Sequence, residues 1–153
     1  YRADSGVDFF ILDSTAGLGS QAIRADQKGW LIRAVASSTA QFKVVVLHHP
    51  PFSSAKHGST KKYQWDYLGM GVDLVLSGHD HTYERLIRSG ETYVVNGTGG
   101  ASLYKCKPKL VPGSKTCQDK RYGAMFMYVN KHQMRVLFRD SVGATRDSFI
   151  INR

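Results

Sequence analysis

Apolar residues along the first two thirds of the chain fall in short continuous runs, each closed by turn residues. Residues 7–12 (VDFFIL) lie between Gly6 and the Asp13-Ser14-Thr15-Ala16-Gly17 turn cluster, which predicts a buried strand. A helix is expected next, capped by Asp26, with Trp30, Leu31, Ala34 and Val35 on one face and a stop at Ser37-Ser38-Thr39. Residues 43–47 (KVVVL) predict a second buried strand that ends at His48-His49-Pro50-Pro51, where the prolines forbid further ladder hydrogen bonds. A second helix is expected over residues 61–68, with Ser59 or Thr60 as its cap and Gly69 or Gly71 at its end. Residues 72–76 (VDLVL) predict a third strand running into Ser77-Gly78-His79-Asp80-His81, and residues 91–95 a fourth, ending at Asn96-Gly97-Thr98-Gly99-Gly100.

Strand, helix, strand, helix, strand is the pattern of parallel βαβ units. The pattern changes after Cys117. Residues 124–129, 133–140 and 145–151 are strand-like and separated by short turns, which predicts an antiparallel meander. No repeat, low-complexity segment or linker divides residues 1–153, so a single domain is expected. Asp4-Ser5-Gly6 reads as a turn.

Composition, at 42% hydrophobic and 22% charged, is that of a globular protein, and no apolar run approaches a membrane span. The net charge of +9 favours anionic partners. Much of the excess lies in Lys105, Lys107, Lys109, Lys115, Lys120 and Arg121, around the two cysteines. No aromatic-interleaved basic stripe accompanies them, so a nucleic-acid partner is not expected. Cys106 and Cys117 flank this Lys-, Pro- and Gly-rich loop as a disulfide candidate; their spacing matches no zinc pair.

Candidate chemistry is positional. His48 follows one β-rich run, and His79 and His81 follow another, where α/β sheets gather ligands. Imidazole nitrogens suit transition-metal ions, and a His-x-His pair in a locally extended segment would point both rings to one side. His49 is expected to point elsewhere, and His132, in a hairpin turn, to lie on the surface. Asp80 should point away from its flanking histidines and serve as a backbone or indirect partner. Glu84 is expected either to orient a ligating imidazole or to pair with Arg85 or another cation. The Gly97-Thr98-Gly99-Gly100 loop lacks the lysine and following helix of a phosphate loop, so it reads as a close backbone approach.

The segments VVLHHPPFSSAKHGS (residues 45–59), GVDLVLSGHDHTYER (71–85) and VVNGTGGASL (94–103) resemble the C-terminal half of the calcineurin-like metallophosphoesterases, in their purple acid phosphatase-like branch. Leu12-Asp13-Ser14 and the Gln27-x-x-Trp30-Leu31 helix fit as well. The resemblance implies an α/β fold: the C-terminal half of a four-layer α/β/β/α sandwich, with parallel βαβ units followed by the meander. It implies that His48 and His79 bind one metal and His81 another, and that His57 contacts phosphate or protonates the leaving group. Two ions, from iron, zinc or manganese, would occupy the complete site, and at most one is expected in this chain alone. The family's earlier motifs, which supply an Asp, a bridging Asp, an Asn and a substrate-binding His, are absent in order. Three neutral imidazoles do not compensate two adjacent cations. The expectation is therefore a secreted or periplasmic phosphoesterase acting on phosphate esters, inactive without its N-terminal half or a complementary chain. A noncatalytic metal-binding or interaction module is the alternative. A half-sandwich should also leave one sheet face open to self-association or a partner.

Overall fold

A computed structural model describes residues 2–3 and 6–153. The Asp4-Ser5 part of the expected turn lies outside them. The chain forms strands β1 (Arg2–Ala3) and β2 (Val7–Leu12), helices α1 (Ser14–Gly19) and α2 (Gln21–Ser37), then β3 (Phe42–Leu47), β4 (Leu74–Ser77), β5 (Tyr83–Arg88) and β6 (Glu91–Asn96). Strands β7 (Ser114–Gln118), β8 (Gly123–Val129), β9 (Gln133–Asp140) and β10 (Thr145–Asn152) follow. The first seven make one sheet in the order β1-β2-β3-β4-β6-β5-β7, and the last three a second sheet in the order β10-β9-β8.

Strands β2, β3, β4 and β6 are mutually parallel, whereas β5 runs antiparallel to β6 and β7. Such a sheet is apolar on both faces, which explains the unbroken β-branched run of β3. Val45 and Leu47 face the helix side, where Leu31 and Val35 of α2 pack with Phe10, Leu12, Tyr63 and Tyr67. Val44 faces the second sheet, where Phe42, Leu74, Tyr83 and Val94 meet Met134, Val136 and Phe138 of β9. Helix, large sheet and small sheet form three of the four expected layers among the described residues. The outer face of the small sheet leaves Phe126, Tyr128 and Ile150 exposed, the open face expected of a half-sandwich.

Three elements differ from expectation. The residues read as a turn after β2 form α1, because the Asp13 side chain accepts the N–H of Ala16 and caps it. Helix α2 likewise starts at Gln21, capped by Ser20 through the N–H of Ile23, so Asp26 lies inside it. The helix expected over residues 61–68 is only a 3₁₀ turn, Lys61–Tyr63. Tyr63 and Tyr67 are both buried, but Trp65 packs at a tilt against both rings and the backbone carbonyl of Tyr63 accepts the Tyr67 hydroxyl at 3.0 Å. That side-chain bond substitutes for helical pairing in a segment that ends at Gly69 and Gly71.

Candidate metal centre

His48 is the first residue beyond β3, and His79 the second beyond β4. Because β3 and β4 are adjacent and parallel, with Leu47 opposite Ser77, both histidines emerge at the same sheet edge. The Gly78 N–H donates to the His48 carbonyl at 3.1 Å and joins the two exits. His48 Nε2 then stands 3.1 Å from His79 Nδ1. His79 has a φ of 64°, so the His-Asp-His segment bends rather than extending. His81 stacks on Tyr104 with centroids 4.2 Å apart, and its Nδ1 lies 2.8 Å from the Ser102 carbonyl. The extended backbone expected through His79 and His81 is thus corrected to a bend at His79.

His49 also departs from expectation. Its ring turns inward, 4.4 Å from the His79 ring, and its Nδ1 lies 2.9 Å from Ser14 Oγ. The same hydroxyl accepts the His49 backbone N–H at 3.0 Å. Ser14 is buried at the start of α1, so the helix missed by pattern reading is what fixes this imidazole. One nitrogen each from His48, His49 and His79 lies within 4.8 Å of the others, a donor group without a carboxylate. Three clustered imidazole nitrogens suit a zinc- or iron-type ion and do not suit two cations, which bridging oxygens normally hold together.

Protonation favours that chemistry. Burial lowers the His79 imidazole below its ordinary value, and the neighbouring His49, His57 and His48 lower it further, against the opposing pull of Asp80. His49 is lowered by burial and by His48 and His57. Both shifts favour the neutral imidazole, the form that can bind a metal.

His57 joins the group through the loop after β3. Its ring lies 4.3 Å from that of His79 and 5.4 Å from that of Tyr104. The loop is held by two buried carboxylates. Asp80 accepts Ser53 Oγ and the N–H groups of His57 and Gly58, the backbone role expected of it. Glu84 accepts Ser54 N–H, Ser54 Oγ and Ser114 Oγ, and among the described residues its carboxylate bonds to neither an imidazole nor Arg85. Its expected roles as imidazole orienter or cation partner are corrected: Glu84 ties this loop to β7.

The cysteine loop closes the other side. Cys106 and Cys117 form a disulfide with Cα atoms 6.2 Å apart. Lys107 N–H donates to the Ser54 carbonyl and Val111 N–H to Ser54 Oγ, both at 2.8 Å. Tyr104, which no motif marked, thereby stands between His57 and His81, with Lys56 Nζ 5.0 Å from its ring centre. The Gly97 loop is the close approach expected: a Cβ there would lie 2.2 Å from the Asp80 carbonyl oxygen. His132 is exposed on the β8–β9 turn. A groove of about 600 Å³ opens beside His48 between the sheets, lined by Val46, Leu76, Asn96, Met125 and Met127.

Two packed sheets flanked by helix, with histidines at the carboxyl ends of neighbouring parallel strands, define the calcineurin-like metallophosphoesterase architecture. Within it, the homologues of this chain are purple acid phosphatases. Human tartrate-resistant acid phosphatase type 5 is 33% identical over 128 residues, 76% of this chain and 39% of that protein. The purple acid phosphatase PPD1 of yellow lupin seeds superposes with a TM-score of 0.81 at 22% identity, over 97% of this chain and 31% of that one. The Plasmodium protein GAP50, described as the anchor in the inner membrane complex, superposes with a TM-score of 0.80 at 20% identity, over 95% of this chain and 49% of that one. The chain spans 24 to 39% of the length of the curated acid phosphatases it matches. No family model matches the chain.

Proposed function

We propose that this chain is the histidine-bearing, C-terminal part of a catalytic domain that hydrolyses phosphate esters. The observation that carries the reading is the 3.1 Å approach of His48 Nε2 to His79 Nδ1 at the ends of two parallel strands, with the His57 ring packed on His79. His48 and His79 hold one ion, with His49 close enough to join or replace them, and His81 belongs to a second ion whose carboxylates come from outside this chain. The ions, once bound, supply Lewis-acid activation of water and charge compensation at phosphorus. His57 binds the phosphate and delivers a proton to the departing oxygen, held in place by Asp80 through the backbone. Lys56 adds positive charge beside it. The disulfide fits a secreted or periplasmic setting.

The absence of a carboxylate from the His48–His49–His79 group also supports a second reading, a noncatalytic module that holds one ion. Metal stoichiometry and nitrophenyl phosphate turnover separate the two. The chain alone should bind one zinc ion and show no turnover, His48→Ala with His79→Ala should abolish binding, and an added segment carrying the Asp and Asn-His motifs should restore a second ion with activity. Binding that survives the double substitution would overturn the assignment of the ligands. One ion without turnover in the completed protein would favour the module.

A further inference from the structure

On the helix side of the large sheet, a cavity of about 350 Å³ lies beside the β5–β6 hairpin, lined among others by Phe52, Trp65, Asp66, Arg88, Glu91 and Tyr93. None of the histidines lines it. Glu91 is 3% exposed, and only one of its carboxylate oxygens is engaged: Oε1 accepts the Thr92 N–H at 2.9 Å, while the enclosed Oε2 has no hydrogen-bond partner. A buried acceptor without a donor is costly and rare in folded proteins. Among the described residues, neither cation beside the cavity serves it: Lys28 Nζ lies over the Trp65 ring, 5.8 Å from its centre. Arg88 stacks over Phe52 at 4.9 Å and donates to the Pro112 carbonyl at 2.7 Å. The other charged and titratable groups facing Glu91 are Asp66, Asp73, Tyr67 and Tyr93, none of them a cation.

The cavity volume lies at the small end of ligand pockets. Its walls combine aromatic surface from Phe52, Trp65 and Tyr93 with two carboxylates, Glu91 and Asp66. Aromatic faces attract cations, and an ammonium head offers the N–H donors that Glu91 lacks. We infer that this cavity is a second binding site, separate from the histidine centre, that takes a small primary alkylammonium ion with its head at Glu91 and its apolar body against Trp65 and Phe52. Burial pushes the Glu91 carboxyl up to about 8, so cation binding would draw out its proton and strengthen as pH rises.

Trp65 is one of only two tryptophans, and Trp30→Phe leaves it as the single reporter. In that background, n-butylammonium should give a saturable change in tryptophan fluorescence, and the neutral n-butanol should not. Affinity should rise about tenfold between pH 7 and pH 9, following ionisation of Glu91, while the probe itself stays charged. Glu91→Gln, nearly isosteric, should weaken binding at least tenfold at pH 9 and remove the pH dependence. A response that does not saturate, that n-butanol reproduces, or that Glu91→Gln leaves unchanged would overturn the site. The n-butanol comparison and the pH series need no Glu91 variant, and no arm of the experiment depends on metal binding.

Discussion

The Asp80 carboxylate, lying between two histidines in sequence, accepts the backbone N–H of a third, His57, at 2.8 Å. Its other oxygen accepts Ser53 Oγ and the Gly58 N–H, so one fully buried side chain fixes the loop that carries His57. Asp80→Ala would strand these donors in a buried setting. The expected loss is about 3–5 kcal/mol, measured by urea denaturation, with Asp80→Asn losing less because its amide oxygen still accepts.

The Gly97 loop sets the second constraint. An alanine there would place its Cβ 2.2 Å from the Asp80 carbonyl oxygen and 3.1 Å from His81 Cα, and neither is a flexible side-chain end. Gly97→Ala should cost about 2–3 kcal/mol of stability. Gly99 has nothing within 4 Å of an added Cβ, so Gly99→Ala should stay within about 0.5 kcal/mol of wild type. Comparing their melting temperatures checks that the glycine at 97 is required by the approach to His81, and not by loop flexibility.

Strands β2, β3 and β4 were legible because a parallel sheet buried on both faces leaves unbroken apolar runs, and the strand ends put His48 and His79 at one edge. Strand β5 was not legible. Its Glu84 and Arg85 look like surface residues, and the partners that bury them, Ser54, Ser114 and Asp147, lie 30 to 62 positions away. Tyr63 and Tyr67 are spaced as one helix face but are buried without a helix, since a side-chain hydrogen bond replaced the backbone one. The inward turn of His49 depended on Ser14, 35 positions earlier, on a helix whose glycines resembled a turn. The bend at His79 depended on a backbone angle that no residue type at that position announces.

The disulfide supports the site through backbone bonds to the His57 loop. Cys106 and Cys117 are 11 positions apart, and between them Lys107 and Val111 donate to Ser54. Reduction, or Cys106→Ser with Cys117→Ser, should lower stability by about 2–3 kcal/mol. The loss should be visible as a lower melting temperature in reducing buffer that the double variant reproduces and reductant does not deepen. Equal melting temperatures with and without reductant would show that the loop is held by its hydrogen bonds alone.

The two sheets are clasped by one acidic side chain. Asp147 of β10 accepts Arg85 Nε at 2.6 Å, Arg85 Nη2 at 2.9 Å and the Tyr83 hydroxyl at 2.7 Å, both partners standing on β5. Burial alone would raise the Asp147 carboxyl, but the hydrogen bonds from Arg85 and Tyr83 and the charge of Arg85 outweigh it and hold it below the ordinary range. The unfolded chain then binds the proton at higher pH than the folded one. The clasp's contribution is complete above the unfolded value, about 4, and is lost as pH falls through the lower folded value. Asp147→Asn should therefore cost about 2–4 kcal/mol at pH 7, where Arg85 and Tyr83 are left without their anion. In denaturation series from pH 7 downward, the gap between wild type and variant should stay constant to about pH 4 and narrow below it. A gap that does not depend on pH would assign the loss to packing and not to the carboxylate charge.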